Sequence, residues 1–224
     1  MGTDDIHKKK KQKAYKDRNV ATIPVKPRIL IMCEGEKTEP NYFKSFRLPS
    51  VHVKPAYGGD ALYVVEKAIE FASKAEEPYD QVWCVFDRDI HLEKPQPERF
   101  NKAIWIIENI NELEVYNESK NLKKVNRFAY AYSNDAFELW YILHFDYMHS
   151  AKTRQEYGDM LTERIKKKYF KNSIDMYDDL LDRQSSAISY AEKLLCEYSK
   201  SNPERDNPST TVHILVQELN KYID

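Results

Sequence analysis

No apolar run in this sequence approaches the roughly 20 residues that a membrane helix requires, so no membrane partner is expected. The N-terminus, with Asp4, Asp5 and the lysine run Lys8 to Lys11, lacks the apolar stretch of a secretory signal. Cysteine is scarce. Cys33, Cys84 and Cys196 form no C-x-x-C pair and have no zinc-ligand spacing. Cys33 and Cys84 lie inside apolar runs, where the thiol acts as a small hydrophobe, and a reducing cytoplasm is the expected location. There is no G-x-x-x-x-G-K-[ST] loop, so any ATPase activity must come from a partner. Net charge is nearly absent too, at -1.

That balance hides an asymmetry. Residues 1–28 hold nine Lys or Arg against three Asp or Glu, leaving a body of about -7. A basic segment on an acidic body suits nucleic-acid contact, and a merely solvated tail has the same composition. With 224 residues, 42% of them apolar, the chain can bury a full core.

The expected organisation is a basic disordered tail over 1–27, an α/β core over 28–145 and a helical extension over 146–224. Ile29 to Cys33 and Gln81 to Phe86 read as strands buried on both faces, as in a parallel sheet. Val51 to Val53 and Arg127 to Tyr132 are weaker strand signals. Helical spacing marks 61–75, with Asp60 as N-cap, and 97 to about 116. Residues 135–145, 153–170, 184–200 and 209–222 also read as helices, and no strand signal follows Asp146. The alternation of strand and helix predicts an α/β fold with a mainly parallel sheet flanked by helices.

Two strand ends carry acids: Glu34, Gly35 and Glu36 after the first, Asp87, Arg88 and Asp89 after the other. Ligand sites in open parallel sheets lie just past such ends. If the two strands are neighbours, Glu34, Asp87 and Asp89 share one crevice, and a cation is the natural way to keep three close carboxylates ionised. Oxygen ligands alone favour Mg²⁺ or Mn²⁺. In an extended segment Asp87 and Asp89 would point the same way and Arg88 the other. Acids after strands also cap helices or solvate loops, and that reading stays open.

The segments Cys33 to Phe43, Val85 to Asp89, Ser133-Asn134 with Phe137 to Trp140 and His144-Phe145, and Asn207 to Val212 occur in an order that resembles the RloB family, also described as AbiL-type abortive-infection proteins. The resemblance runs from about Arg28 to the C-terminus. It implies a Toprim-like fold, with a glutamate that handles protons and a D-x-D pair that holds the divalent metal. Those roles fall on Glu34, Asp87 and Asp89. The family usually has proline after Ser-Asn, where this chain has Asp135, which can cap the following helix.

The resulting expectation is a metal-dependent nuclease acting on DNA or RNA, with tRNA one candidate substrate, in antiviral defence. A partner ATPase and a homo-oligomer are both compatible with it. Glu34 would be a metal ligand or a general acid/base. Glu36 and Glu39 stand in reserve, Glu39 also suiting its helix N-terminus. Glu138, flanked by apolar residues, reads as a further ligand or as a hydrogen-bonded structural acid. His144 reads as a proton carrier or a structural group. Lys37 and Arg88 are candidates for substrate phosphate. Ser209, Thr210 and Thr211 cap the last helix or bind phosphate, and some tyrosines are candidate platforms for bases. A D-x-D phosphohydrolase and a non-catalytic metal-binding regulatory subunit are the competing functions.

Overall fold

The computed structural model describes residues 26–89 and 96–223. The expected disordered tail, up to Val25, lies outside them. The elements are β1 (Ile29–Cys33), α1 (Thr38–Lys44), β2 (Val51–Pro55), α2 (Ala61–Ser73), β3 (Gln81–Asp87), α3 (Pro97–Glu108), α4 (Glu114–Glu118), β4 (Arg127–Asn134), α5 (Glu138–Ile142), α6 (Arg154–Ile165), α7 (Met176–Leu180), α8 (Gln184–Cys196), β5 (Ser209–Thr210) and α9 (Val212–Asn220). They build an α/β fold around a five-stranded sheet in the order β2-β1-β3-β4-β5. All pairs are parallel except β4 with β5.

Strand alternation divides the core in two. Ile29, Ile31 and Cys33 of β1 join Trp83, Val85 and Ala131 on one face, packed against residues of α1 and α5 through α9. Leu30 and Met32 join Val82, Cys84, Phe86 and Tyr132 on the other, under α2 and α3. Being covered on both faces is why β1 and β3 are continuous apolar runs. Asp60 caps α2 by accepting a bond from the Tyr63 amide at 3.0 Å.

Several elements depart from the expected spans. The helix expected over 97–116 breaks at Asn109, whose side chain donates to the Trp105 carbonyl at 2.8 Å and competes with the helical ladder. A short 3₁₀ turn then leads to α4. The helix expected over 135–145 shortens to α5, and α6 stops before Lys166, which adopts a left-handed φ of 55°. β5 lies in a region without a strand signal. Its two residues pair with the end of β4, Ser133 opposite Thr210 and Asn134 opposite Ser209. A strand this short shows no periodicity to read.

The strand order places the topological switch between β1 and β3. The chain leaves β1 toward β2 on one side, then returns past it to β3 on the other. The C-terminal ends of these two strands are where such folds hold their ligands.

Candidate active site

β1 and β3 are direct neighbours, with Cys33 opposite Val85. The Glu34 amide continues the pairing by donating to the Val85 carbonyl at 2.9 Å. The Glu34 carboxylate then accepts from the Asp87 amide at 3.0 Å. Beyond β3, the Arg88 amide donates to the Ser133 carbonyl at 2.9 Å and the Asp89 amide to the Asp135 carbonyl at 3.1 Å. The D-x-D segment is thereby pinned to the end of β4.

Asp87 and Asp89 do converge, though not by extended-strand alternation. The strand ends at Asp87 and Asp89 has a left-handed φ of 46°. What unites them is Arg154, the first residue of α6. Its Nη2 lies 2.8 Å from Asp87 Oδ2 and 2.9 Å from Asp89 Oδ1, and its Nε lies 3.7 Å from Glu138 Oε2. Tyr169 donates to the other Glu138 oxygen at 3.1 Å.

Glu39, in the first turn of α1, is buried against the same group of charges, and its Oε2 has no hydrogen-bond partner. Gly35 makes room for it, since a Cβ there would collide with the Glu39 carboxylate. The space beside Gly35 is therefore filled by this side chain.

Five carboxylates, those of Glu34, Glu39, Asp87, Asp89 and Glu138, thus act on one guanidinium. Burial pushes Glu34 up to about 8; the Asp87 amide and Arg154 oppose the rise, and the charges of Asp89 and Glu39 add to it. Burial likewise raises Asp87, with the Glu39 charge adding, and raises Asp89 and Glu39. Arg154 is held charged by Asp87, Asp89 and Glu138 although burial works against it. Such a cluster needs protons or further positive charge to persist.

Among the described residues, no three His, Cys, Asp or Glu side chains already stand in a metal-holding arrangement. Arg154 lies between the two aspartates and takes up oxygens that a cation would use. The donor chemistry nevertheless suits a hard divalent cation. Every donor is oxygen, negative charge exceeds the one guanidinium, and a buried Glu39 oxygen is unpartnered.

Two openings flank the acids. A crevice of about 200 Å³ is lined by Glu34, Asp87, Arg88 and Asp89 together with Gly59 and Asp60. A wider cleft of about 460 Å³ is lined by Gly35, Glu36, Lys37, Thr38, Lys171 and Asn172.

The structure gathers Glu34, Asp87, Asp89 and Glu138, and it does not join His144 to them. His144 is buried behind α5, with Nδ1 2.9 Å from the Trp140 carbonyl and its ring 4.8 Å from that of Trp140. Burial pushes its pKa down to about 4. Arg88 lines the crevice and pairs on its other side, 3.7 Å from Glu204 and 5.5 Å from the Phe100 ring centre. Lys37 is exposed in the wider cleft. Ser209 and Thr210 are wholly buried. Thr210 donates to the Tyr132 carbonyl at 2.9 Å, and Thr211 Oγ1 accepts from the Tyr132 amide at 2.9 Å. These hydroxyls hold the sheet edge. Thr210 Oγ1 also accepts from the Val212 amide at 3.2 Å, and Thr211 makes no side-chain cap.

Sequence reasoning missed Arg154, Tyr169 and Lys171, and it left the inward turn of Glu39 unassigned. No local pattern marks Arg154, which meets Asp87 across 67 positions. Glu39 had a faint signal: an acid followed by Pro40 and the apolar Tyr42-Phe43 pair starts a helix that buries its first turn.

A family described as RloB-like protein matches residues 29–219. No curated protein and no solved structure matches the chain.

Proposed function

The chain belongs to the RloB-like family, and from that premise we propose that it is a Toprim-like, metal-dependent nuclease that hydrolyses phosphodiester bonds in DNA or RNA. The observation that carries this reading is the meeting of Glu34, Asp87 and Asp89 at the switch point, with Glu39 and Glu138 beside them and Arg154 between.

Asp87, Asp89 and Glu34 are the residues that would hold Mg²⁺ or Mn²⁺. Such a cation supplies charge neutralisation at phosphorus and a more acidic water. Hydrolysis forms a bond from the water oxygen to phosphorus, breaks the bond to the leaving sugar oxygen, and moves one proton from the water and one onto the leaving group. Glu34 is the residue to carry a proton, because its carboxylate sits at the crevice and is anchored by a backbone amide. Arg154 guards the acids in the resting protein. Turned outward, its guanidinium would face the phosphate with a planar pair of donors. Lys37 and Lys171 line the cleft on the far side and suit the flanking phosphates. Glu138 holds Arg154 and Tyr169 in register.

The family resemblance supports a role in antiviral defence of the abortive-infection kind, in the cytoplasm, and is compatible with a partner ATPase. Incubation of the full chain with single-stranded DNA, plasmid, total RNA and tRNA, with Mg²⁺ or Mn²⁺, tests the reading. Asp87→Asn and Asp89→Asn are expected to abolish cleavage. Glu34→Gln should lose about 10²–10⁴-fold, the usual range for a general acid/base, with unchanged circular dichroism. Variants that all cut like wild type would sink the proposal. No cleavage under any condition, alone or with an ATPase partner, would leave a non-catalytic metal-binding subunit. A phosphorylated Asp87 would point to a phosphohydrolase instead.

A further inference from the structure

A groove lies outside the acidic site, between the end of β2 and the outer face of α2. Its volume is about 640 Å³, and Tyr57, Tyr63 and Phe71 line it with Lys54, Lys67 and Lys74 on the rim. Tyr57 is 75% exposed and Phe71 40%. Lys54 Nζ lies 5.6 Å from the Phe71 ring centre, and Lys67 Nζ lies 5.6 Å from that of Tyr63. Glu70 pairs with Lys67 at 2.8 Å and with Lys74 at 2.9 Å, so the rim keeps an excess of two positive charges on a molecule otherwise slightly acidic.

Backbone geometry sets the rings out. Tyr57, Gly58 and Gly59 have φ of 62°, 95° and 96° in succession, a left-handed run that turns Tyr57 into solvent. The same stretch separates the groove from the acids: Tyr57 and Tyr63 face the groove, while Gly59 and Asp60 line the acidic crevice. Met32, on the groove floor, belongs to β1, and Glu34 follows directly after the end of that strand.

We propose that this groove holds unpaired nucleotides of a single-stranded nucleic acid, with bases stacked on Tyr57 and Phe71 and phosphates near Lys54 and Lys74, and feeds that strand to the acids. Flat faces and point cations in one channel are the chemistry of sequence-tolerant single-strand binding. Bases in a duplex are stacked on one another and cannot offer both faces. The inference rests on the nuclease reading for its purpose, and its test reads binding alone.

The experiment is fluorescence anisotropy of the full chain with labelled single-stranded DNA and RNA 12-mers and a blunt duplex, in EDTA so that nothing is cut. The strand is expected to bind more tightly than the duplex. Tyr57→Ala should weaken strand binding about 5- to 150-fold, the loss of one stack, and Lys54→Glu should weaken it and flatten its salt dependence. Because Tyr57 is exposed, its variant should melt with wild type. Unchanged strand affinity in both variants, or equal affinity for duplex, overturns the proposal. So does a Tyr57→Ala change in oligomeric state without loss of strand binding, which would make the groove a contact between copies. Strand binding that depends on Tyr57 in a protein that never cleaves would uphold the groove and sink only the nuclease reading.

Discussion

Burial holds His144 neutral well below the pH at which a free imidazole titrates. Its folded pKa is about 4, against roughly 6.5 in an unfolded chain. A depressed pKa means that the unfolded state binds the extra proton first. The stabilisation is present above about pH 6.5 and is lost as pH falls toward 4. A gap of about 2.5 units corresponds to about 3 kcal/mol. Urea denaturation of wild type and His144→Phe between pH 4 and 7 measures it, because phenylalanine keeps a ring against Trp140. Wild type is expected to lose most of that energy over the range, and the variant to show a flatter profile. Equal slopes would mean that His144 is reached by solvent. In the sequence this residue reads as either a proton carrier or a structural group. Position six after Glu138 is off the glutamate's helical face, and the fold turns the ring into the core.

At the scale of elements, α6 matters because its first residue is Arg154. Its N-terminus is fixed by a capping box: Thr153 Oγ1 accepts from the Glu156 amide at 3.3 Å, and Glu156 accepts from the Thr153 amide at 2.8 Å. Thr153→Ala should cost about 1 kcal/mol, or about 2–4 °C in melting temperature for a chain of this size, as read by calorimetry. It should also loosen the guanidinium from Asp87 and Asp89. A melting temperature identical to wild type would show that packing alone orients α6. The sequence announced β1, β3 and α2 plainly, because apolar runs and a capped amphipathic stripe are local signals. It also announced which strand ends carried acids. It could not announce that Arg154 reaches those acids, because a pairing across 67 positions is made by the packing of α6 and not by any nearby pattern. β5 was illegible for the opposite reason: it is two residues long and exists only against the end of β4. α7 was equally hidden in five residues.

The whole molecule converges on the acids from six elements: β1 brings Glu34, α1 Glu39, β3 Asp87 with Asp89 just beyond, β4 the carbonyl of Ser133, α5 Glu138 and α6 Arg154. The unfolded chain has no such arrangement. A divalent cation held by this cluster therefore binds the folded state alone, and its binding energy adds to stability. At a hundredfold excess over Kd the gain is about 2.7 kcal/mol, or about 5–10 °C in melting temperature. Arg154 already neutralises part of the charge, so the cation competes with it. Arg154→Gln should then bind Mn²⁺ more tightly, as read by titration calorimetry, and show the larger thermal shift at equal metal concentration. Asp87→Asn should show almost none. If wild type, Arg154→Gln and Asp87→Asn all melt at temperatures that Mg²⁺ and Mn²⁺ leave unchanged, the five carboxylates are balanced by protons and the guanidinium, and the chemistry at the switch point is not that of a metal.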